Sequence, residues 1–257
     1  VNAALTVIGA RAGSPGPNGP GSGYLLSIGA TAVLLDSGPG VLAGLLNHCS
    51  TDELDAVVIS HQHADHTADL VPFGYHRSFP EPKPPLPLYG PEGIAGYVAA
   101  LDQVHGIPTL EHMKAPIATY LPLTEVKPGA SITVNDVVID TIAAAHPVPA
   151  ISMAVPSVGF VYTADTALTD ELVELSRGAR LLLAEATYPE PEGHDFDEHG
   201  HMSGHEAGQL AARAGVAHLV VTHMSDIEDA ERTVRNAASH YGGPISVAVP
   251  GQRYRLG

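Results

Sequence analysis

Six consecutive residues, His61-Gln62-His63-Ala64-Asp65-His66, put three imidazoles and a carboxylate into one short turn of chain. Imidazole nitrogen and carboxylate oxygen are the donors that a borderline-soft divalent cation such as zinc prefers. His61 and His63, two apart in an extended turn, can face the same way, and Asp65 and His66 then open a helix. The run before them, Asp55-Ala56-Val57-Val58-Ile59-Ser60, is apolar and rich in β-branched residues, and reads as a buried strand. The polar side chains therefore sit just past the carboxyl end of a core strand, where rigid scaffolds commonly present chemistry. A solvated, His-rich loop is the plainer explanation, and further donors at later strand ends weigh against it.

The pattern of strand followed by donor recurs. Val137–Ile142 leads to His146, Val158–Tyr162 to Asp165, Arg180–Ala184 to Glu185-Ala186-Thr187, and His218–Val221 to His223. Taken singly, His146 or His223 is ordinarily a structural histidine. Taken together, in this order and at these strand ends, the residues resemble the full ligand set of the dinuclear metallo-β-lactamase-fold hydrolases, whose His-x-His-x-Asp-His turn holds two metal ions. The resemblance spans nearly the whole chain. It implies that His61, His63 and His146 hold one metal, that Asp65, His66 and His223 hold the other, and that Asp165 bridges both. Zinc is the expected ion, with manganese and iron as alternatives. Asp, not Cys, at position 165 points away from the antibiotic-cleaving lactamases and towards the phosphodiesterase and ribonuclease Z branch.

Glu185-Ala186-Thr187 and Gly200-His201-Met202-Ser203 resemble the Glu-Ala-Thr and Gly-His-Ser motifs of ribonuclease Z, in which a glutamate and a histidine pair near the leaving group. Mapped here they are Glu185 and His201. A carboxylate raises the pKa of a neighbouring histidine and makes it a proton donor near neutral pH; a histidine beside a helix cap is the alternative for His201. One departure matters. Ribonuclease Z proteins that bind transfer RNA usually carry a long arm between the ligand histidine and the bridging aspartate, and here only Pro147 to Ala164 intervene. The chain resembles more closely the compact bacterial phosphodiesterases that cleave cyclic nucleotides. That likeness extends to Ser22-Gly23-Tyr24-Leu25-Leu26, to Asp36-Ser37-Gly38-Pro39-Gly40 and to His201 through Gly208. Asp36, at a strand end, is placed to hold a ligand imidazole in its tautomer or to sit as a charge at a helix N-terminus.

The implied reaction is phosphodiester hydrolysis by a hydroxide shared between two cations, with Asp65 holding its metal and steering the nucleophile. His201, oriented by Glu185, protonates the departing oxygen. The resemblance also implies a small anionic substrate and a homodimer. Three alternatives stay open, because fold alone does not choose among them: hydrolysis of a carbon ester, thioester or lactone, or a biosynthetic step; an armless ribonuclease Z-like endonuclease; and a non-catalytic protein on a hydrolase fold.

These donors need a scaffold. Leu5–Gly9 reads as the first strand, Tyr24–Ile28 and Ala32–Leu35 as a hairpin, Leu86–Tyr89 as an edge strand and Ile245–Val249 as the closing strand. Helices are expected over Val41–Asn47, Asp65–Arg77, Ile94–Leu101, Asp170–Ser176, from Ser203 to Ala214 behind a capping box, and over Ile227–His240. Each half runs strands then helices, so the expected fold is α/β (α+β in some schemes): a four-layer αβ/βα sandwich of two packed mixed sheets, one metallo-β-lactamase-fold domain over residues 1–257. The Gly/Pro/Ser stretch 11–23 lacks Gly-Lys-Ser/Thr, so it is no P-loop; it is either a mobile loop or a rim to the site. The proline-rich stretch 79–91 reads as a stiff connection rather than a docking peptide. Residues 103–118 read as a covering loop that shapes substrate access, with His105 and His112 as surface residues.

Composition narrows the partners. The chain has 257 residues, 28 Asp+Glu against 12 Lys+Arg, and no Trp. No Lys/Arg cluster is visible, which argues against extensive nucleic-acid contact, and the scarcity of large aromatics argues against a base-stacking platform. No apolar run reaches the roughly 18 residues of a membrane span. Val1-Asn2-Ala3-Ala4 carries no basic start or cleavage pattern, though a signal already removed would leave none. One cysteine, Cys49, excludes an internal disulfide, fits a cytoplasmic location and reads as a structural thiol.

Overall fold

The computed structural model describes residues 2–111, 114–190, 200–225 and 230–257. The first sheet contains β1 (Ala3–Gly9), β2 (Gly23–Ile28), β3 (Thr31–Leu35), β4 (Ala56–Val58), β5 (Leu88–Pro91) and β6 (Leu123–Val126). The second contains β7 (Ser131–Val134), β8 (Val137–Ala143), β9 (Ile151–Val155), β10 (Phe160–Tyr162), β11 (Leu181–Glu185), β12 (Leu219–Thr222) and β13 (Ile245–Val247). A last strand, β14 (Arg253–Arg255), returns to the first sheet, giving the orders β14-β1-β2-β3-β4-β5-β6 and β13-β12-β11-β10-β9-β8-β7. Both sheets are mixed. β14, β1, β2 and β3 pair antiparallel and β3 to β6 parallel, while β7 to β10 pair antiparallel and β10 to β13 parallel.

Alternation within the strands builds the layers. Leu181 and Leu183 face a core shared by the two sheets, together with Leu26, Leu35 and Val58 of the first sheet. Leu182 and Ala184 face the opposite way, onto α6 (Asp170–Leu175), α7 (Gly204–Ala214) and α8 (Ala230–Ala238). In the first sheet Leu25, Leu34 and Val57 face α1 (Val41–Leu45), α3 (Leu70–Ser78) and α4 (Ile94–His105). Strands buried on both faces read as continuous apolar runs because water meets neither side. The result is the helix–sheet–sheet–helix sandwich that the sequence predicts. Among the described residues no helix is long and apolar enough to cross a membrane.

Local chemistry explains where the elements depart from expectation. The helix expected over Asp65–Arg77 is two: α2 (Ala64–Thr67) and α3, broken at Ala68–Asp69. Pro72 requires the restart, since without an N–H it is tolerated only in a helix's first turn. The strand expected at Leu86–Tyr89 shifts to Leu88–Pro91, past the last residue of the run Pro84-Pro85-Leu86-Pro87. Residues Pro156–Val158 form a 3-10 turn instead of opening β10. The helix expected over Ile227–His240 is described from Ala230, its first residues lying outside the described residues. α7 begins as its capping box predicts: Ser203 Oγ accepts from the Glu206 N–H, and the Glu206 carboxylate accepts from the Ser203 N–H.

Candidate metal centre

Parallel pairing brings the donors to one edge. β3 and β4 run parallel, as do β10, β11 and β12, so their carboxyl ends lie together. β3 leads to Asp36, β4 to the His61–His66 turn, β8 to His146, β10 to Asp165 and β12 to His223, while β11 ends on Glu185. Three of these exits hold a non-glycine residue in the left-handed region: Asp36 (φ 61°), Ala164 (φ 53°) and His223 (φ 51°). Such backbone is uncommon outside glycine and collects where surrounding contacts enforce a functional geometry.

The seven expected donors converge. Ligand atoms of His61, His63, His146 and Asp165 lie within 4.8 Å of one another, and so do those of Asp65, His66 and His223. His63 Nδ1 is 3.2 Å from His61 Nε2 and 3.1 Å from His146 Nε2. His223 Nε2 is 3.1 Å from both His66 Nε2 and Asp65 Oδ2. Asp165 stands between the groups: Oδ2 is 3.6 Å from His61 Nε2 and 3.4 Å from His223 Nε2, and Oδ1 is 3.4 Å from His66 Nε2.

The outer edges of the rings decide what the inner edges offer. His66 Nδ1 faces the Asp36 carboxylate at 2.8 Å and His146 Nδ1 faces the Gly200 carbonyl at 2.9 Å. Neither partner can donate, so both Nδ1 atoms carry the proton. The Ser60 hydroxyl donates to Asp36 and so accepts from His61 Nδ1 at 3.0 Å. The Thr187 hydroxyl donates to Glu185 at 2.6 Å and so accepts from His223 Nδ1 at 2.9 Å. With Nδ1 committed outward, all four rings turn Nε2 inward, the orientation that partners behind a ligating histidine impose. These Nε2 atoms crowd to 3.1 Å from each other and 3.4 Å from carboxylate oxygens, and Asp165 Oδ1 is buried with no hydrogen-bond partner among the described residues. A divalent cation resolves both problems, so the donor set fits one.

Electrostatics divide the cluster. Burial works to lower His66, but the Asp165 and Asp36 carboxylates outweigh it and push that imidazole well above its ordinary value, so a cation there would displace its proton. Burial, joined by the nearby His66 imidazole, pushes His61 well below its ordinary pKa, and burial lowers His63 and His146, keeping these rings neutral as metal ligands must be. Burial alone would raise Asp165, but the His223 and His66 imidazoles outweigh it and hold the carboxyl well below its usual range.

His201 borders this cluster. Its Nδ1 lies 3.1 Å from Glu185 Oε1 and 3.8 Å from Asp165 Oδ2, and its ring stacks on His223 at 5.9 Å. Burial works to lower its pKa, but the hydrogen bond and charge of Glu185 prevail and raise it to about 8. Glu185 is fully buried, and it also accepts from the Thr166 and Thr187 N–H groups. Three residues behind the cluster escape sequence reasoning. Tyr162 donates to Asp36 at 2.7 Å, while Ser60 and Thr187 relay Asp36 and Glu185 to His61 and His223. Thr187, two residues past Glu185 in a turn, is the one with a legible signal.

The loop 11–23 takes the rim position: the Gly13 N–H donates to Asp65 Oδ2 at 2.6 Å, and residues 11 to 14 line the cleft over Asp65, Asp165, His201 and His223. No described residue of 103–118 lines it. The described part of that stretch lines a separate cavity with Gly74, Tyr75 and Ser78. His105 is exposed as expected, and His112 lies outside the described residues.

Comparison with known proteins settles the family. A model of the beta-lactamase superfamily domain matches residues 31–224. The chain belongs to the beta-lactamase superfamily. Within it, the chain is 32% identical over 267 residues to the protein Rv1339 of Mycobacterium tuberculosis (strain ATCC 25618 / H37Rv), covering 100% of this chain and 93% of that one. It is 30% identical over 253 residues to the probable metallo-hydrolase YhfI of Bacillus subtilis (strain 168), covering 96% and 97%. The crystal structure of YhfI, a metallo-beta-lactamase fold protein, superposes with a TM-score of 0.84 at 28% identity over 98% of each chain. A ribonuclease Z of Brevibacillus brevis (strain 47 / JCM 6285 / NBRC 100599) is 26% identical over 277 residues, covering 86% and 85%.

Proposed function

We propose that this metallo-hydrolase cleaves a phosphodiester in a small anionic substrate, with cyclic nucleotides the class that fits best. One observation carries the reading: a buried glutamate holds His201 protonated near neutral pH at the border of the donor cluster. A proton donor of that strength serves a poor leaving group, such as a ribose alkoxide, and is wasted on a thiolate.

His61, His63 and His146 would hold one cation and Asp65, His66 and His223 a second, with Asp165 facing both. Bound there, such ions supply Lewis acidity towards phosphoryl oxygens and a nucleophile at neutral pH. Zinc is the preferred identity for so imidazole-rich a set. Asp36 and Glu185 fix the ring tautomers from behind. Glu185 orients His201 through Nδ1, so that Nε2 is the ring position from which a proton reaches the departing oxygen. Asp65, tied to the loop by the Gly13 N–H, is aligned with His223 and helps to place the nucleophile.

Small substrates are favoured over long RNA. The cleft holds about 390 Å³, within the usual range for small-molecule sites. Between His146 and Asp165 lies only the β9–β10 hairpin, and the net charge is −16. The metallo-hydrolase name of YhfI supports hydrolysis, and the ribonuclease Z name of the Brevibacillus relative supports phosphodiester chemistry among the superfamily's reactions.

The test is a substrate panel on metal-loaded protein with a chelator control: bis(p-nitrophenyl) phosphate, 3′,5′-cyclic nucleotides, an unstructured RNA, a thioester and a lactone. Chelator-sensitive turnover of the cyclic nucleotides, dependent on His201, is expected. Turnover confined to the thioester or lactone would overturn the reading.

A further inference from the structure

Arg11 is, among the described residues, the one Lys or Arg that lines the cleft over Asp65, Asp165 and His201. Its Nε–H donates to the Ser14 carbonyl at 3.2 Å. No carboxylate of the described residues lies within ion-pair distance of it, and no described acceptor takes its two terminal nitrogens. Among the described residues Lys83, Lys114, Arg177 and Arg213 are each paired with a carboxylate, whereas Arg11, at the rim of an acidic cleft, is not.

The loop that carries Arg11 is held in place. The backbone of Arg11 bridges Met224, next to His223, and the adjacent Gly13 N–H binds Asp65. The side chain lies across Gly16, where an added Cβ would come within 3.1 Å of both Cζ and Nε. A planar fork whose two terminal nitrogens are unused, beside a phosphate-sized site, is arranged to grip an oxyanion bidentately through that edge.

We infer that Arg11 is a specificity residue that binds a second anionic group of the substrate, separate from the scissile phosphate. The preferred substrates are therefore phosphodiesters that carry a further phosphate, such as a phosphorylated nucleotide. This inference rests on the phosphodiesterase reading for its substrate class, but it is tested by binding.

The measurement is calorimetric titration of zinc-loaded protein with thymidine 5′-phosphate and with thymidine 3′,5′-bisphosphate. Wild type is expected to favour the bisphosphate by about tenfold or more, the scale of one charge-assisted bidentate contact. Arg11→Ala should bring the two affinities within roughly twofold of each other, and Arg11→Lys, which keeps the charge but not the fork, should fall between. Gly16→Ala, which leaves Arg11 in the chain but crowds its guanidinium, should also reduce the preference. Zinc content and melting temperature report whether each variant is folded, and Gly16→Ala serves if Arg11→Ala is not. Equal wild-type affinities, or an undiminished preference in folded Arg11→Ala, overturn the inference. In parallel, hydrolysis of the p-nitrophenyl ester of thymidine 5′-phosphate, with and without a 3′-phosphate, checks the reading beneath it. Selective binding without turnover of either ester sinks the phosphodiesterase reading and upholds the role of Arg11.

Discussion

Glu185 Oε1 stands 3.1 Å from His201 Nδ1, and this contact converts a buried imidazole into one that keeps its proton to about pH 8. The sign of the pH effect follows. The folded value lies above the ordinary 6.5, so the stabilising contact is fully present below that pH and is lost as pH rises through about 8. If His201 is the proton donor, kcat on a substrate with a poor leaving group falls on the alkaline side with a limb near pH 8. Glu185→Gln removes the charge, and the limb should move down by about one unit or more. A pH–rate profile unaltered by Glu185→Gln would refute the coupling.

His201→Ala should lower kcat on cyclic nucleotides by about 10²–10⁴-fold while metal content is retained. With a p-nitrophenolate leaving group, which departs without help, the loss should be much smaller. Steady-state kinetics on both substrates, beside elemental analysis, separates a proton donor from a structural histidine. Equal losses on both would favour the structural role.

Asp36 accepts from the Ser60 N–H at 2.7 Å, the Ser60 hydroxyl at 2.9 Å, His66 Nδ1 at 2.8 Å and the Tyr162 hydroxyl at 2.7 Å. Four donors converge on two oxygens, and Asn at this position would present N–H groups to some of them. Asp36→Asn should weaken metal binding by about 10–100-fold, the usual cost of losing a partner behind a ligand. Competition with a fluorescent zinc chelator measures this. An unchanged affinity would mean that the tautomers are held some other way.

How much of this was legible follows from the physics of each part. The donors at strand ends could be found because a strand buried on both faces is a continuous apolar run, and Val57-Val58-Ile59 and Leu181-Leu182-Leu183 are such runs. The short strands β6, β7, β9 and β14 carry no such signal. In β7, Ser131 and Thr133 alternate with Ile132 and Val134 over only four residues, and pairing with β8, not local preference, makes it a strand. The break between α2 and α3 is legible in Pro72, which a helix tolerates only in its first turn. Ser60 and Tyr162 behind Asp36 could not be foreseen, because Tyr162 lies 126 residues from Asp36 and only the stacking of the two sheets brings them together. Arg11 belongs to the same class: a lone arginine in a Gly/Pro loop acquires meaning only when Met224 is found beside it.

Gly38 supports the site by what it lacks. A Cβ there would lie 1.9 Å from the Asp65 carbonyl oxygen and 2.8 Å from the Ser22 N. The Ser22 N–H donates to that same carbonyl at 2.9 Å, so loop 11–23, the Asp36 turn and the metal turn meet at one point. Gly38→Ala should cost more than about 2 kcal/mol and lower metal content, since backbone, not a flexible side chain, must move. Gly96→Ala provides the contrast. It lies in α4 with nothing within 4 Å of the added methyl, and should be stabilising by about 0.5–1 kcal/mol. Urea unfolding of both variants measures the difference, and similar effects at the two positions would discount the packing argument.

Removal of the cations tests the donor cluster itself. The inward Nε2 atoms of His61, His66, His146 and His223 crowd one another and the Asp165 carboxylate, and a cation held among them would stabilise only the folded state. Zinc at about 100 times its Kd should therefore add about 2.7 kcal/mol of stability, with a melting temperature that rises with zinc concentration and falls with chelator. His63→Ala, which removes one donor from the His61, His63 and His146 group, should blunt the rise. Acid should act in the same direction as the chelator, because protonated imidazole cannot ligate. Since burial holds His61, His63 and His146 below the ordinary 6.5, zinc held by that group should be retained on acidification to a pH lower than that value before it is lost. Melting curves with and without zinc, from pH 5 to 8, would show the two conditions converging at the acid end. Curves that coincide at every pH would mean that these seven side chains hold no ion.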